Sequence, residues 1–387
     1  MVIYIHIPFC VKKCYYCDFL SGPANEETIE NYVKALINEI EYYGEIHGRQ
    51  GTKSLVTSIF FGGGTPSLLD TKYIKTIMDK VKYAFNVEEN AEITIECNPG
   101  TADEEKLSTY RQIGINRLSI GLQSANDDEL KSIGRIHNFE QFLTIYNEAR
   151  RAGFDNINID LMSALPNQTL DSYRETLHKV IKLNPEHISA YSLILEEGTC
   201  LYEKIEVLER EGRDTGLPDE EIERDMYYET KRILEENGYY RYEISNYAKM
   251  GKECRHNIAY WKRDEYIGLG IGAASYMDGV RLKNICDINE YINIEKTPNS
   301  SEDKTETELL TKEDKKAEFM FLGLRMIEGV SVRDFEKEFG EDFQVVYGKI
   351  TSKHIEDGLL IKEGDNIRLT DLGLDVSNMV MSSYILC

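Results

Sequence analysis

Three cysteines fall within eight positions of "YIHIPFCVKKCYYCDF" (residues 4–19): Cys10, Cys14 and Cys17. Their thiolates are soft metal ligands. Lys12 and Lys13, set between them, favour an exposed loop with ionised thiols over inert core cysteines. A zinc site needs a fourth ligand, and zinc favours paired C-x2-C knuckles over a single C-x3-C-x2-C loop. His6 is the nearby alternative, on the far side of Pro8. An iron–sulfur cluster usually takes four thiolates. Three would leave one iron open to a small molecule. Position 19, where a further cysteine would complete the set, is Phe19.

Other residues suited to chemistry follow at intervals. "FFGGGTPSLL" carries Gly62, Gly63, Gly64 and Thr65. Three glycines exceed what a tight strand-to-helix turn needs, and they let backbone groups approach a ligand closely. Glu96, Gln123 and Asp160 each stand at the end of an apolar run, and buried polar groups on one rim need partners. Arg135 lies on the turn after Gln123 and could meet a carboxylate bidentately. In "CRHNIAYW" (254–261), His256 and, more weakly, Cys254 could ligate a heme iron. Tyr260 and the sole tryptophan, Trp261, offer flat apolar faces beside them. Cys97 reads as core, whereas Cys200, Cys286 and Cys387 have no ligand-like spacing.

The elements that must position these residues are strands and helices in alternation. Strands are expected at 2–9, 58–63, 91–97, 117–123, 156–162 and 187–193. Helical periodicity fills the gaps. Ile29, Val33, Leu36, Ile40 and Tyr43 form one apolar stripe, with Asn25 as N-cap and Glu26 and Glu27 in the first turn. Similar patterns run near 71–85, 103–113, 138–152 and 170–183. Such βα alternation implies a parallel sheet with right-handed crossovers. No G-x-G-x-x-G opens the first helix, so an α/β fold of partial (β/α)6 TIM type fits better than a dinucleotide-binding sheet. Residues 1–237 are assigned to this barrel and 238–294 to an α+β extension. The polar stretch 295–310 is read as a linker, and 311–387 as a small winged-helix-like domain with a helix, helix, hairpin pattern.

Composition excludes several classes. The net charge is −23, and the last domain has 10 basic and 15 acidic residues, so nucleic acid is not the expected partner. No run approaches the ~18 apolar residues of a membrane span, which leaves only peripheral membrane contact open. "MVIYIHIPF" lacks the features of a signal peptide, and eight cysteines in 387 residues are too few for a disulfide scaffold. A reducing cytoplasm is the expected setting.

The C-x3-C-x2-C spacing after a first barrel strand, with Tyr16 interposed, resembles the radical S-adenosylmethionine (SAM) superfamily. "ECNPGT", "GINRLSIGLQS", "NIDLMSALPNQT" and "HISAYSLILEEGT" narrow the likeness. They resemble the group that holds oxygen-independent coproporphyrinogen III dehydrogenase and the heme chaperones HemW. The resemblance implies a [4Fe-4S] cluster on Cys10, Cys14 and Cys17, with the open iron kept for SAM. It implies SAM contacts at Tyr4, Tyr16, Gly62, Gly63, Gly64, Thr65, Glu96, Gln123, Arg135, Asp160, Ile194 and Ala274. "HNIAYW" resembles the HNxxYW motif of the chaperones, which implies a heme contact at His256. A heme-acceptor protein would be the partner, together with an electron donor if SAM is cleaved. The alternative is dehydrogenase activity by 5′-deoxyadenosyl radical chemistry on a porphyrinogen. Two departures from the dehydrogenase pattern weigh against it: Phe19 replaces its fourth cysteine, and no N-terminal extension precedes the barrel.

Overall fold

The computed structural model describes residues 1–47, 54–293 and 304–385. All six expected strands form: β1 (Val2–Ile7), β2 (Leu55–Gly63), β3 (Asn86–Cys97), β4 (Arg117–Gln123), β5 (Ile157–Ser163) and β6 (His187–Ser192). They pair in parallel and in chain order. Parallel neighbours need long crossovers, and helices supply them. These are α1 (Glu26–His47), α2 (Thr71–Ala84), α3 (Glu104–Ile113), the short α4 (Asp127–Ser132) with α5 (Phe139–Arg151), and α6 (Leu170–Leu183). Side-chain caps fix the starts: Asn25 accepts the Thr28 N–H at 2.8 Å. Asp70, Asp103, Asn138 and Thr169 cap α2, α3, α5 and α6 in the same way.

Strand alternation sorts the side chains into two populations. Ile3, Ile5, Ile59, Phe61, Ile95, Leu118, Ile120 and Ile159 join the apolar stripes of the helices in one continuous core. The alternate positions face the inside of the curved sheet and are polar. Ser58, Glu92, Thr94, Arg117, Ser119, Asn158, His187 and Ser189 are all buried there. Several of them satisfy one another, although Thr94 Oγ1 and Arg117 Nε have no hydrogen-bond partner among the described residues: His187 lies 2.6 Å from Asn158 Oδ1 and 2.8 Å from the hydroxyl of Tyr242. The Asn158 amide donates to Ser119 and to Asp160, both at 2.8 Å.

The next segment spans both edges of the sheet. It comprises α7 (Cys200–Arg210), α8 (Glu220–Glu236), β7 (Tyr240–Glu243), β8 (Asn246–Ala248), α9 (Arg255–Trp261), β9 (Tyr266–Leu269), β10 (Ala274–Met277), β11 (Val280–Asn284) and α10 (Ile288–Asn293). β8 pairs with β6, whereas β9 lies parallel to β1 at the other edge. The twelve strands run β12-β11-β10-β9-β1-β2-β3-β4-β5-β6-β8-β7, so the barrel is open. The chain therefore crosses from one edge to the other between β8 and β9. α9 makes that crossing beneath the N-terminal ends of the strands, as a floor. Of the polar stretch 295–310, residues 295–303 lie outside the described residues. Lys304–Leu309 forms β12, paired antiparallel with β11.

The C-terminal domain contains α11 (Lys312–Gly323), β13 (Val330–Ser331), α12 (Val332–Phe339), α13 (Phe343–Val346), α14 (Gly348–Glu356), β14 (Leu360–Glu363), β15 (Asn366–Leu369), α15 (Asp371–Asp375) and α16 (Ser377–Ser382). Its small sheet, β13-β15-β14, and its own apolar core agree with a winged-helix-like unit. It docks against the floor helix and β7, and also against α8, where Asp375 pairs with Arg224 at 3.1 Å and Asp371 with Lys231 at 2.6 Å. Ile244 N–H donates to Arg325 O at 3.1 Å, and Ile327 N–H donates to Tyr242 O at 3.0 Å. Arg263 pairs with Glu338 at 2.7 Å, and the Arg325 guanidinium lies 4.3 Å over Trp261. Its Leu374 and Asp375 also border a cavity with Ser163 and Ser192, the last residues of β5 and β6, whereas no residue of this domain lines the cavity at the cysteine loop.

Candidate cofactor site

The cysteine loop leaves β1 at the rim and is tied down by backbone bonds. Cys10 N–H donates to Gly22 O at 3.0 Å, Tyr15 N–H to Ile133 O at 3.0 Å, and Leu201 N–H to Tyr15 O at 2.8 Å. The glycine loop after β2 holds the same segment from the side. Gly64 and Thr65 N–H donate to the carbonyls of Ile7 and Phe9, each at 2.8 Å. Only Gly63 turns its N–H inward, to Glu96 Oε2 at 3.1 Å. This glycine run serves close chain approach first. A Cβ on Gly64 would stand 2.8 Å from Phe9 O and 3.0 Å from Ile7 O. Overpacking of this kind costs about 1–3 kcal/mol. Gly64→Ala is therefore expected to keep its far-UV circular dichroism yet retain less iron and sulfide per chain after anaerobic reconstitution. Equal iron content in mutant and wild type would show that the close approach is dispensable.

An arc of hydrogen bonds joins two of the thiols. Thr65 Oγ1 lies 3.5 Å from Cys10 Sγ and accepts from the Asn98 amide at 2.9 Å. Asn98 Oδ1 accepts from Arg135 at 3.1 Å, and Arg135 donates to Cys14 Sγ at 3.8 Å. Gln123, held at φ 68°, accepts from Arg135 Nε at 2.7 Å. Gly121 makes room for this cation, since a Cβ there would lie 2.5 Å from an Arg135 nitrogen. All three thiols are free and border one cavity of about 420 Å³, within the range of small-molecule sites. Among the described residues no three His, Cys, Asp or Glu side chains gather as a single-ion site. Three thiols spaced round a cavity, backed by a half-buried cation and amide, form a donor set that suits a polynuclear cluster.

Burial shapes the electrostatics of the walls. It pushes Glu96 up to about 8, helped by the nearby Asp160 carboxylate. Burial likewise raises Asp160, although hydrogen bonds from Asn158 and Ser119 oppose it. Tyr16 rises to about 12, mainly through burial.

The cavity brings together Cys10, Cys14, Cys17, Tyr16, Gly63, Gly64, Thr65, Glu96, Gln123, Arg135 and Asp160. Tyr4, Gly62, Ile194 and Ala274 do not line it. The Tyr4 hydroxyl is 3.1 Å from His6 Nδ1, and Ile194 is 68% exposed in the loop after β6. Ala274 starts β10 on the far side of β9. Asn98, Ser119, Gly121, His137 and Glu196 also line the cavity and escaped the sequence reading. Asn98 carried a signal, since it directly follows Glu96 and Cys97 at the end of β3. So did Gly121, a glycine inside an otherwise regular strand.

His256 does not line this cavity. It lies in the floor helix and is 2% exposed. Its Nδ1 is 2.9 Å from Ser58 Oγ and its Nε2 is 3.1 Å from Tyr260 OH. Burial pushes the imidazole down to about 3, so it is neutral, but neither nitrogen is available to a metal in this arrangement. Cys254 is also buried, 3.5 Å from Glu92, with its thiol raised to about 12.

A three-thiol loop after the first strand of an open parallel barrel defines a radical SAM protein. Residues 4–180 match the radical SAM superfamily and residues 310–376 the HemN C-terminal domain. Membership of that superfamily implies a [4Fe-4S] cluster and SAM. The fold is similar to coproporphyrinogen III oxidase (HemN) from Escherichia coli, with a TM-score of 0.84 over 99% of this chain and 89% of that one, at 24% identity. The chain is 36% identical to the heme chaperone HemW of Lactococcus lactis over 383 residues, 99% of this chain and 97% of that one. Identity to the heme chaperone HemW of Bacillus subtilis is also 36%, covering 99% of this chain and 98% of that one. The chain belongs to the HemW family of radical SAM proteins. Among the described residues no helix is long and apolar enough to cross a membrane.

Proposed function

We propose that this protein binds a [4Fe-4S] cluster through Cys10, Cys14 and Cys17, binds SAM beside it, takes up heme, and passes heme to an acceptor protein in the cytoplasm. The observation that carries this reading is near-full-length similarity, at 36% identity, to proteins named as heme chaperones. Phe19, in place of a fourth cysteine, supports it over porphyrinogen dehydrogenation. When bound, the cluster offers SAM's amino and carboxylate groups an iron free of protein ligands, and it supplies an electron if SAM is cleaved.

The chain's own residues bind and orient. Arg135 and Thr65 sit against the Cys14 and Cys10 sulfurs, where their hydrogen bonds draw charge from the thiolates and hold them apart. Glu96 and Asp160 face the cavity as the groups suited to a cationic amine or sulfonium. Glu96 titrates near 8 in the folded chain against an ordinary value of 4.5. The raised value means folding favours the protonated carboxyl. That stabilisation is complete below 4.5 and is lost as pH rises through about 8. A cation bound beside Glu96 reverses the preference and expels the proton. SAM affinity of the reconstituted protein is therefore expected to rise from about pH 6 to about pH 8 and then level. Glu96→Gln should flatten that part of the profile. Identical pH dependence in mutant and wild type would remove Glu96 from the cation's environment.

The function itself is tested by titrating heme into anaerobically reconstituted protein and then adding an apo-hemoprotein. A shifted Soret band that moves to the acceptor supports the carrier reading. Failure to take up heme, or anaerobic decarboxylation of coproporphyrinogen III, overturns it.

A further inference from the structure

The mouth of the cofactor cavity has an apolar rim that the cluster and SAM do not explain. Val11, Phe19 and Ile136 line the cavity and are 58%, 62% and 59% exposed. Two come from the cysteine loop and one from the turn after Arg135, so separate chain segments bring them together. Side chains of this size, more than half exposed on one concave opening, mark a binding surface rather than scattered surface apolarity. Lys12 and Lys13 line the same opening. In a chain of net charge −23, neither lysine pairs with a carboxylate among the described residues, although Asp18 and Glu196 also border the cavity. The Lys12 ammonium instead lies 5.2 Å from the Tyr15 ring centroid. No residue of the C-terminal domain lines this cavity, and the exposure of the three rim side chains leaves the mouth open in the described chain.

We propose that this rim is the heme seat: a flat apolar macrocycle lies across Val11, Phe19 and Ile136 over the cavity mouth, with its carboxylates toward Lys12 and Lys13. The proposal rests on the heme-carrier reading and places the cargo on the cofactor face instead of at the floor helix that holds His256. Phe19 gives a planar ligand an aromatic face, and the two lysines give an anionic edge its counter-charge. A neutral apolar ligand would leave the lysines without a role. A polar metabolite would leave the three apolar side chains without one.

The test uses full-length, cluster-reconstituted protein titrated with heme and, separately, with an iron porphyrin that bears no carboxylates. The variants are Phe19→Asp, Ile136→Asp and the pair Lys12→Glu with Lys13→Glu, compared at equal iron content. Ile136→Asp provides a variant outside the cysteine loop should loop substitutions reduce cluster loading. The lysine reversals are expected to weaken heme binding roughly tenfold and to leave the carboxylate-free porphyrin unchanged. Phe19→Asp and Ile136→Asp should weaken both porphyrins. Wild-type heme affinity in all the rim variants overturns the seat while the carrier reading stands. Absence of heme binding by the wild type removes the carrier reading itself. Equal weakening of both porphyrins by the lysine reversals overturns the assignment of the carboxylate edge.

Discussion

Anaerobic reconstitution of Cys17→Ala is expected to give near-background iron where the wild type takes up about four irons per chain. Among the described residues Cys10, Cys14 and Cys17 are the part-exposed thiols of the cavity, and the nearby candidates cannot substitute for a lost one. His6 is buried, with Nδ1 3.1 Å from Tyr4 OH and Nε2 2.9 Å from Leu20 O. Cys97 lines the cavity wall but is 1% exposed, and burial pushes its thiol up to about 11. Two remaining thiolates would leave a cubane half held. SAM binding should fall with the iron, since its anchoring atom goes too. Iron and sulfide analysis with electron paramagnetic resonance reads the outcome. A Cys17→Ala chain that keeps a full cluster would remove Cys17 from the ligand set, and stoichiometric zinc in the wild type would overturn the cluster altogether.

The second large effect concerns the floor. Glu92 is 6% exposed and accepts the N–H of Arg255 and that of His256, both at 3.1 Å. The Cys254 thiol lies 3.5 Å away. α9 has no side-chain cap of its own at Cys254, so this carboxylate from β3 serves as one. Glu92→Ala strands two helix-terminal donors in a dry interior and is expected to cost about 3 kcal/mol. The denaturant midpoint should drop accordingly. Glu92→Gln keeps an acceptor and should recover part of the loss. A shift below about 0.5 kcal/mol for Glu92→Ala would show that α9 is held by its apolar contacts alone.

The parallel strands were legible because their outward positions are Ile, Phe and Leu, with turn residues and caps between them. The cluster loop was legible because three thiols at fixed spacing leave few chemistries open. The barrel interior was not. Residues such as Glu92, Arg117, Asn158 and His187 alternate with apolar ones, and from sequence that pattern cannot be told from a solvent-facing strand side. The surroundings of His256 were hidden for the same reason. A short motif shows an imidazole beside aromatics, but not that Ser58, 198 positions earlier, already accepts or donates at one ring nitrogen. Lys304–Leu309 reads as polar linker because alternating Thr and Glu also suit an edge strand whose outer side meets water. Ile194 and Ala274 lie beyond the six regular units, where register cannot be counted from strand to strand.

The linkage from Thr65 through Asn98 to Arg135 runs from one sulfur to another through side chains. It spaces two of the sulfurs by protein contacts alone, and the loop's backbone bonds do the rest. A break in its middle, as in Asn98→Ala, should therefore loosen both sulfurs together, a coupling that iron retention after anaerobic reconstitution would reveal.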